Sequence, residues 1–203
     1  MRKIDFRLYL ITDRKLLPPG KLIEKVEEYI QLGVRSVQVR EKDFTAREIF
    51  QYTLQLKRDN VDVFVNDRAD IAHSAGVNIH LPEHGLSATD VKVIDKNMLI
   101  GKSVHSIDTA VMAEDTGVDF VTLGPIFETE SKMKYGKPLG LDKLKEIAGR
   151  VTIPIFAIGG INPLRAEKCR DSGAFGVAVI SDLLLAKNPE LQIEQYRKAL
   201  SSL

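Results

Sequence analysis

Ile153-Pro154-Ile155-Phe156-Ala157-Ile158-Gly159-Gly160-Ile161-Asn162-Pro163 passes from a nearly unbroken apolar run to a glycine pair and then to the start of a helix. An apolar run with no polar face suits a parallel strand covered on both sides, not a half-exposed antiparallel one. Asn162 can accept from the first helical turn and Pro163 fits that turn, so a helix follows the strand closely. Strand, tight turn and helix make up half of a βαβ unit. The fold depends on how often that unit recurs.

It recurs from end to end. The spacing predicts strands at Leu8–Thr12, Ser36–Arg40, Asp62–Asn66, Asn78–Leu81, Leu99–Val104, Phe120–Ile126, Ile153–Ile158 and Gly176–Ser181. Between them lie apolar residues at helical spacing, such as Leu22-Ile23-Val26-Tyr29-Ile30 and Ile49-Tyr52-Thr53-Leu56. A helix is also expected within Pro82–Lys96. The phrases Gly33-Val34, Gly76-Val77, Gly117-Val118 and Gly173-Ala174 each stand after a helical stretch and shortly before a strand. A helix commonly stops there on a left-handed residue, which glycine adopts without a side-chain penalty. Strands and helices alternating in this way predict a single-domain (β/α)8 barrel of the α/β class over residues 1–203. The rival is an open doubly wound sheet, which would normally carry a glycine-rich turn after its first strand. Here Thr12-Asp13-Arg14 follows instead.

Composition narrows the function. The chain has 29 Lys and Arg against 28 Asp and Glu, a net charge of +1, so no global field draws it to nucleic acid or an anionic membrane. Anion binding must come from local clusters. The single cysteine, Cys169, excludes an intrachain disulfide and reads as a small buried hydrophobe. There is no apolar leader at Met1–Leu10 and no apolar run of the roughly 20 residues that a bilayer span needs. A cytoplasmic protein is expected. A homo-oligomer is compatible with the sequence.

In such a barrel the chemistry gathers at the C-terminal ends of the strands. Arg40 and Lys42 stand two apart and would share a face if their strand persists. With Lys132 they would set three positive charges around one polyanion, Arg as a bidentate clamp and Lys as a point charge. Asn66-Asp67 is a candidate Mg²⁺ pair, the alternative being that Asp67 caps the next helix. Gly159 and Gly160, with Ile180 and Ser181, would offer backbone N–H groups to a phosphate at the ends of the last two strands. Among the histidines, His73 reads as structural, His80 as core or site, and His84 and His105 as rim residues. No HExxH spacing argues for zinc.

Six ordered stretches then resemble one family: Leu8–Arg14, Gln38–Lys42, Asn66–Arg68, Gly124–Phe127, Thr129–Lys132 and Ala157–Ile161. They are similar to thiamine-phosphate synthase, whose superfamily also includes thiazole tautomerases. The resemblance implies a transferase that joins hydroxymethylpyrimidine diphosphate to a thiazole phosphate and releases diphosphate. It also implies that the pyrimidine–diphosphate bond breaks first and that the thiazole nitrogen captures the resulting cation. It further implies that Arg40, Lys42 and Lys132 hold the diphosphate, with Asn66 and Asp67 beside Mg²⁺. Gln38 and Ser103 would meet the pyrimidine, and Thr129 and Ser131 would flank a thiazole phosphate cradled by Gly159, Gly160, Ile180 and Ser181. The chain departs from the pattern at His80-Leu81-Pro82-Glu83-His84-Gly85, where Gly85 replaces a second metal-side Asp and Pro82 a Gly. Glu83 and Asp90 are the candidate substitutes, and an Asp at position 85 is expected to raise Mg²⁺-dependent turnover. The alternatives are a tautomerase or a non-catalytic thiazole-phosphate-binding paralogue. A tautomerase is expected to carry a His at position 125, where this chain has Pro, so His80, His84 or His105 would have to serve.

Overall fold

The apolar runs divide by parity. Leu8 and Leu10, Val63 and Val65, Val121 and Leu123, Ile155 and Ala157, and Val177 and Val179 pack in one buried cluster with residues of the surrounding helices. Their alternate neighbours Tyr9, Ile11, Phe64, Phe120, Phe156 and Ala178 form a second cluster with Ile4, Phe6 and Leu99. Side chains alternate across a strand, so each strand has an inner and an outer apolar face, and a sheet with two such faces must be enclosed or closed on itself.

A computed structural model describes residues 4–129 and 137–200 and shows closure. The parallel strands are β1 (Leu8–Ile11), β2 (Ser36–Val39), β3 (Asp62–Asn66), β4 (Asn78–Leu81), β5 (Ile100–Val104), β6 (Phe120–Leu123), β7 (Ile155–Ile158) and β8 (Gly176–Val179). Each pairs with the next in sequence, and Tyr9 of β1 meets Ala178 of β8 to complete the ring. Around it run α1 (Leu22–Gln31), α2 (Ala46–Leu56), α3 (Ala69–Ala75), α4 (Ala88–Ile94), α5 (Ile107–Asp115), α6 (Gly140–Ala148), α7 (Pro163–Asp171), the short α8 (Ser181–Leu184) and α9 (Pro189–Leu200). This is a (β/α)8 barrel. Among the described residues no helix is long and apolar enough to cross a membrane.

Local chemistry sets the boundaries. The four repeated glycines have φ of 95° at Gly33, 62° at Gly76, 81° at Gly117 and 94° at Gly173, the left-handed stops expected from sequence. Asn162 Oδ1 accepts from Arg165 N at 2.9 Å with Pro163 opening α7, as expected. The helix expected within Pro82–Lys96 is α4, started by a Ser87–Asp90 capping box. Several strands are shorter than the apolar runs. β6 stops before Gly124-Pro125, and the following residues run beside the end of β7, where Ile126 N donates to Ile158 O at 2.9 Å and Phe127 N to Gly159 O at 3.1 Å. β8 stops because Ser181 already begins α8.

The barrel interior changes character along its axis. Below lies an aromatic plug in which Phe6 and Phe120 each meet Phe156 at 5.2 Å between ring centroids and Tyr9 meets Phe64 at 5.3 Å. Above it, in the same inward register, stand Gln38, His80, Ser103 and Thr122. The dry aromatic layer carries the packing, and the polar layer faces the mouth.

Candidate active site

The first two strands are locked together at the mouth. Fully buried Thr12 donates its N–H to Gln38 O at 2.9 Å and accepts from Arg40 N at 3.0 Å. Buried Glu41 accepts Arg14 N–H on both carboxylate oxygens, at 3.2 and 3.1 Å. Arg14 in turn pairs with Asp43 at 2.6 Å and lies over the Phe44 ring, while Lys15 reaches Asp43 at 3.3 Å. These contacts turn the chain at once. β2 ends at Val39 and Phe44 N donates back to Glu41 O at 3.2 Å. Strand alternation therefore does not extend from Arg40 to Lys42, and Lys42 stands exposed on the turn. Among the described residues neither cation has an ion-pair partner.

Asn66 ends β3, and Asp67 follows with φ of 61°, the one non-glycine with positive φ among the described residues. Asp tolerates this left-handed conformation better than most residues. Asp67 N donates to His80 O at 3.0 Å, which fixes the residue against β4. Asp67 does not cap a helix: α3 begins after Arg68 with no side-chain cap. Arg68 is engaged by Asp70 through two bonds, at 2.8 and 2.5 Å. The Asp67 carboxylate is thus exposed at the rim with no hydrogen-bond partner among the described residues.

Gly85 lies beside it. A Cβ at Gly85 would stand 3.1 Å from Asp67 Oδ1, and 2.8 Å from two ring carbons of Pro82. Neither candidate substitute for the missing carboxylate is free. Glu83 accepts from His105 N at 3.1 Å and pairs with His105 Nδ1 at 3.2 Å. Burial would raise its carboxyl, but the bonds from Thr109 and His105 outweigh this and hold it below the usual range. Asp90 is engaged in its capping box, and the Ser87 hydroxyl keeps its carboxyl low. No group of three or more His, Cys, Asp or Glu is placed to hold a metal ion among the described residues. One free carboxylate beside one amide is not a protein cage. It does fit Mg²⁺, which keeps several waters and is held by one or two carboxylates together with substrate phosphates.

Beneath the rim runs a chain of polar contacts. Gln38 Nε2 donates to the Tyr9 hydroxyl at 3.2 Å, and that hydroxyl lies 3.4 Å from His80 Nδ1. His80 Nε2 lies 3.1 Å from Ser103 Oγ and 3.3 Å from Thr122 Oγ1. The Thr122 hydroxyl also donates to Ser103 Oγ at 3.3 Å. Gln38 is 1% exposed and sits in the floor, whereas Ser103 is only half-buried. Burial, and then the charge of Arg40, push the His80 pKa down to about 3, so the imidazole is neutral. Tyr9 and Thr122 escaped the sequence reading, although a polar residue at an inward position of an apolar strand is the signal that marks them.

Across the mouth is the candidate phosphate cradle. Gly159 and Gly160 have φ of 101° and 64°. A Cβ at Gly160 would stand 2.5 Å from Glu128 O, so both space and backbone require glycine there. Arg165 donates to Gly160 O at 2.6 Å and lies over the Phe127 ring at 4.8 Å, which braces the turn. Ile180 precedes Ser181, the first residue of α8, whose first-turn N–H groups have no acceptor within the helix. The sequence reading also missed what anchors α8. Tyr29 OH donates to Leu183 O at 2.5 Å, Tyr196 OH to Asp182 Oδ2 at 2.7 Å, and Gln192 Nε2 to the same oxygen. Thr129 is half-buried near this side, and Ser131 and Lys132 lie outside the described residues. Elsewhere, His73 sits on α3 facing Asp95 at 3.5 Å. Cys169 is fully buried, and burial pushes its thiol up to about 12.

The chain is similar to known proteins over nearly its whole length. A family model described as thiamine monophosphate synthase matches residues 8–183. A thiamine-phosphate synthase from Clostridium novyi is 37% identical over 93% of this chain and 95% of its own length. One from Clostridium acetobutylicum is 35% identical over 92% and 91%. A solved structure of thiamine phosphate pyrophosphorylase from Pyrococcus furiosus superposes with a TM-score of 0.85 at 33% identity, covering 96% of this chain and 95% of that one.

Proposed function

The chain belongs to the thiamine monophosphate synthase family, transferases of thiamine biosynthesis, and on that premise we propose how its mouth couples hydroxymethylpyrimidine diphosphate to a thiazole phosphate. One observation carries the proposal. Arg40, Lys42 and Asp67 stand at the ends of adjacent strands without ion-pair partners among the described residues. Their neighbours Arg14, Lys15, Asp43, Arg68, Asp70, Glu83 and His105 are all paired. Unmatched charge of both signs at one rim suits a ligand that brings anionic oxygens together with a divalent cation.

The C–O bond between the pyrimidine methylene and the diphosphate breaks, and its electron pair leaves with the diphosphate. The thiazole nitrogen then donates its lone pair to the methylene carbon. Charge develops on the leaving oxygens, where preplaced cations act most strongly. Arg40 clamps these oxygens and Lys42 adds a mobile charge, with Lys132 as the third cation. Asn66 and Asp67 would hold Mg²⁺, which when bound offsets charge on the diphosphate. Ser103, above the floor group Gln38, meets the pyrimidine. Gly159, Gly160, Ile180 and Ser181 hold the thiazole phosphate, a role that the family resemblance extends to Thr129 and Ser131.

The histidines favour this reading over a tautomerase. His80 is buried and neutral, His84 has a 93% exposed side chain, and His105 is paired with Glu83 between β4 and β5. The cradle is at β7 and β8, and neither strand pairs with β4 or β5. Titration calorimetry distinguishes the readings. Binding of both the thiazole phosphate and, with Mg²⁺, the pyrimidine diphosphate is expected. Binding of the thiazole phosphate alone would refute the synthase and leave the tautomerase or the non-catalytic paralogue.

A further inference from the structure

The polar layer between the aromatic plug and the mouth has a direction. The Gln38 amide donates to the Tyr9 hydroxyl, so Tyr9 has its own hydrogen left for His80 Nδ1. A neutral imidazole accepting at Nδ1 carries its proton on Nε2, which faces Ser103 and Thr122. Thr122 also donates to Ser103. Ser103 Oγ therefore receives hydrogen bonds from below, and its own hydrogen is left to point upward. The opposite tautomer would leave fully buried Tyr9 with a hydrogen and no acceptor, because both neighbours would then be donating to it. The contacts span 3.1–3.4 Å, loose for hydroxyl groups, as is common before a ligand closes a site.

We propose that Tyr9, His80 and Thr122 are positioning residues that hold Ser103 as a hydrogen-bond donor toward the pyrimidine, so that the mouth selects a ring edge bearing an acceptor nitrogen. This deepens the synthase reading and rests on it. Tyr9, His80 and Thr122 are 0%, 1% and 3% exposed, so they act through Ser103 and not by direct contact. They act by fixing which way one hydroxyl points, which a hydroxyl on an apolar wall would not do by itself. Gln at position 80 would offer one acceptor and one donor, as neutral His does, whereas Leu would offer neither.

The test is steady-state kinetics of the intact enzyme with each substrate varied in turn, on wild type, Tyr9→Phe, His80→Gln and His80→Leu. Both pyrimidine diphosphate analogues in which one ring nitrogen is replaced by C–H are also measured. Tyr9→Phe and His80→Leu are expected to raise KM for the pyrimidine diphosphate about five- to tenfold, the scale of one buried hydrogen bond, and leave KM for the thiazole phosphate unchanged. His80→Gln should restore most of the loss. In wild type one of the two analogues should bind about tenfold more weakly than the parent, and this penalty should shrink in Tyr9→Phe. Tyr9→Phe keeps the ring packing and carries the test if His80→Leu does not fold. Equal rises in both KM values, or two analogues as good as the parent, would overturn the inference while the synthase reading stands. A wild-type enzyme that does not use the pyrimidine diphosphate would overturn both.

Discussion

At the scale of single residues, Asp67 is a carboxylate held in a left-handed backbone, with no side-chain hydrogen bond or ion pair among the described residues. Asp67→Asn keeps the shape and removes the charge. Turnover is expected to fall roughly 100-fold, as when one group aimed at developing charge is lost, while calorimetric binding of the thiazole phosphate stays within twofold. A parallel loss of thiazole binding would place Asp67 in a structural role. Gly85 is a more instructive case. From sequence alone, restoring an Asp there should raise turnover, but the Pro82 ring stands 2.8 Å from where the new Cβ would go. Because that ring is bonded to its own backbone it cannot swing aside. Gly85→Asp alone is expected to cost about 1–3 kcal/mol of stability through overpacking, and Pro82→Gly/Gly85→Asp to recover most of it. Thermal unfolding of the single and double variants measures this, and an unchanged Tm in Gly85→Asp would contradict it. The sequence showed that two residues depart from the pattern. Only the structure shows that the two positions are packed against each other.

At the scale of elements, the strands and left-handed glycine stops were legible because each is a local, repeated choice. The turn after β2 was not. It depends on Glu41, a charged residue just past the apolar run of β2, reaching the Arg14 backbone, and so Lys42 left the face that alternation assigned to it. The support of α8 was equally hidden, since it comes from Tyr29, 154 residues away in sequence, and from Tyr196 on the next helix. Tyr196→Phe removes one bond to Asp182 and keeps the packing of α9. KM for the thiazole phosphate is expected to rise about threefold to tenfold, with KM for the pyrimidine diphosphate unchanged. Equal KM values in the variant and wild type would mean that the remaining contacts hold α8 unaided.

At the scale of the whole molecule, one barrel carries a dry aromatic layer below and a polar layer above, and that layering sets a pH dependence of stability. His80 has an ordinary value of 6.5 when exposed and about 3 in the fold. Between these values the unfolded chain takes up a proton that the folded chain refuses. The stabilisation is complete above about pH 6.5 and falls as the pH is lowered, by up to about 1.4 kcal/mol per pH unit. Unfolding from pH 7.5 to 5 should show that slope in wild type and a flatter one in His80→Gln. Identical slopes would mean that the imidazole is solvated. The fold itself was readable from parity and spacing, because eight similar units leave few ways to bury two apolar faces per strand. The chemistry was readable only as a set of candidates, since the charges that remain unpaired depend on contacts between strands. The central claim is that these unpaired charges serve a pyrimidine diphosphate. The direct measurement mixes the purified enzyme with both substrates and Mg²⁺ and follows the products by chromatography. Equal amounts of thiamine phosphate and free diphosphate are the expected result. A thiazole phosphate that is consumed or isomerised without release of diphosphate would contradict the account.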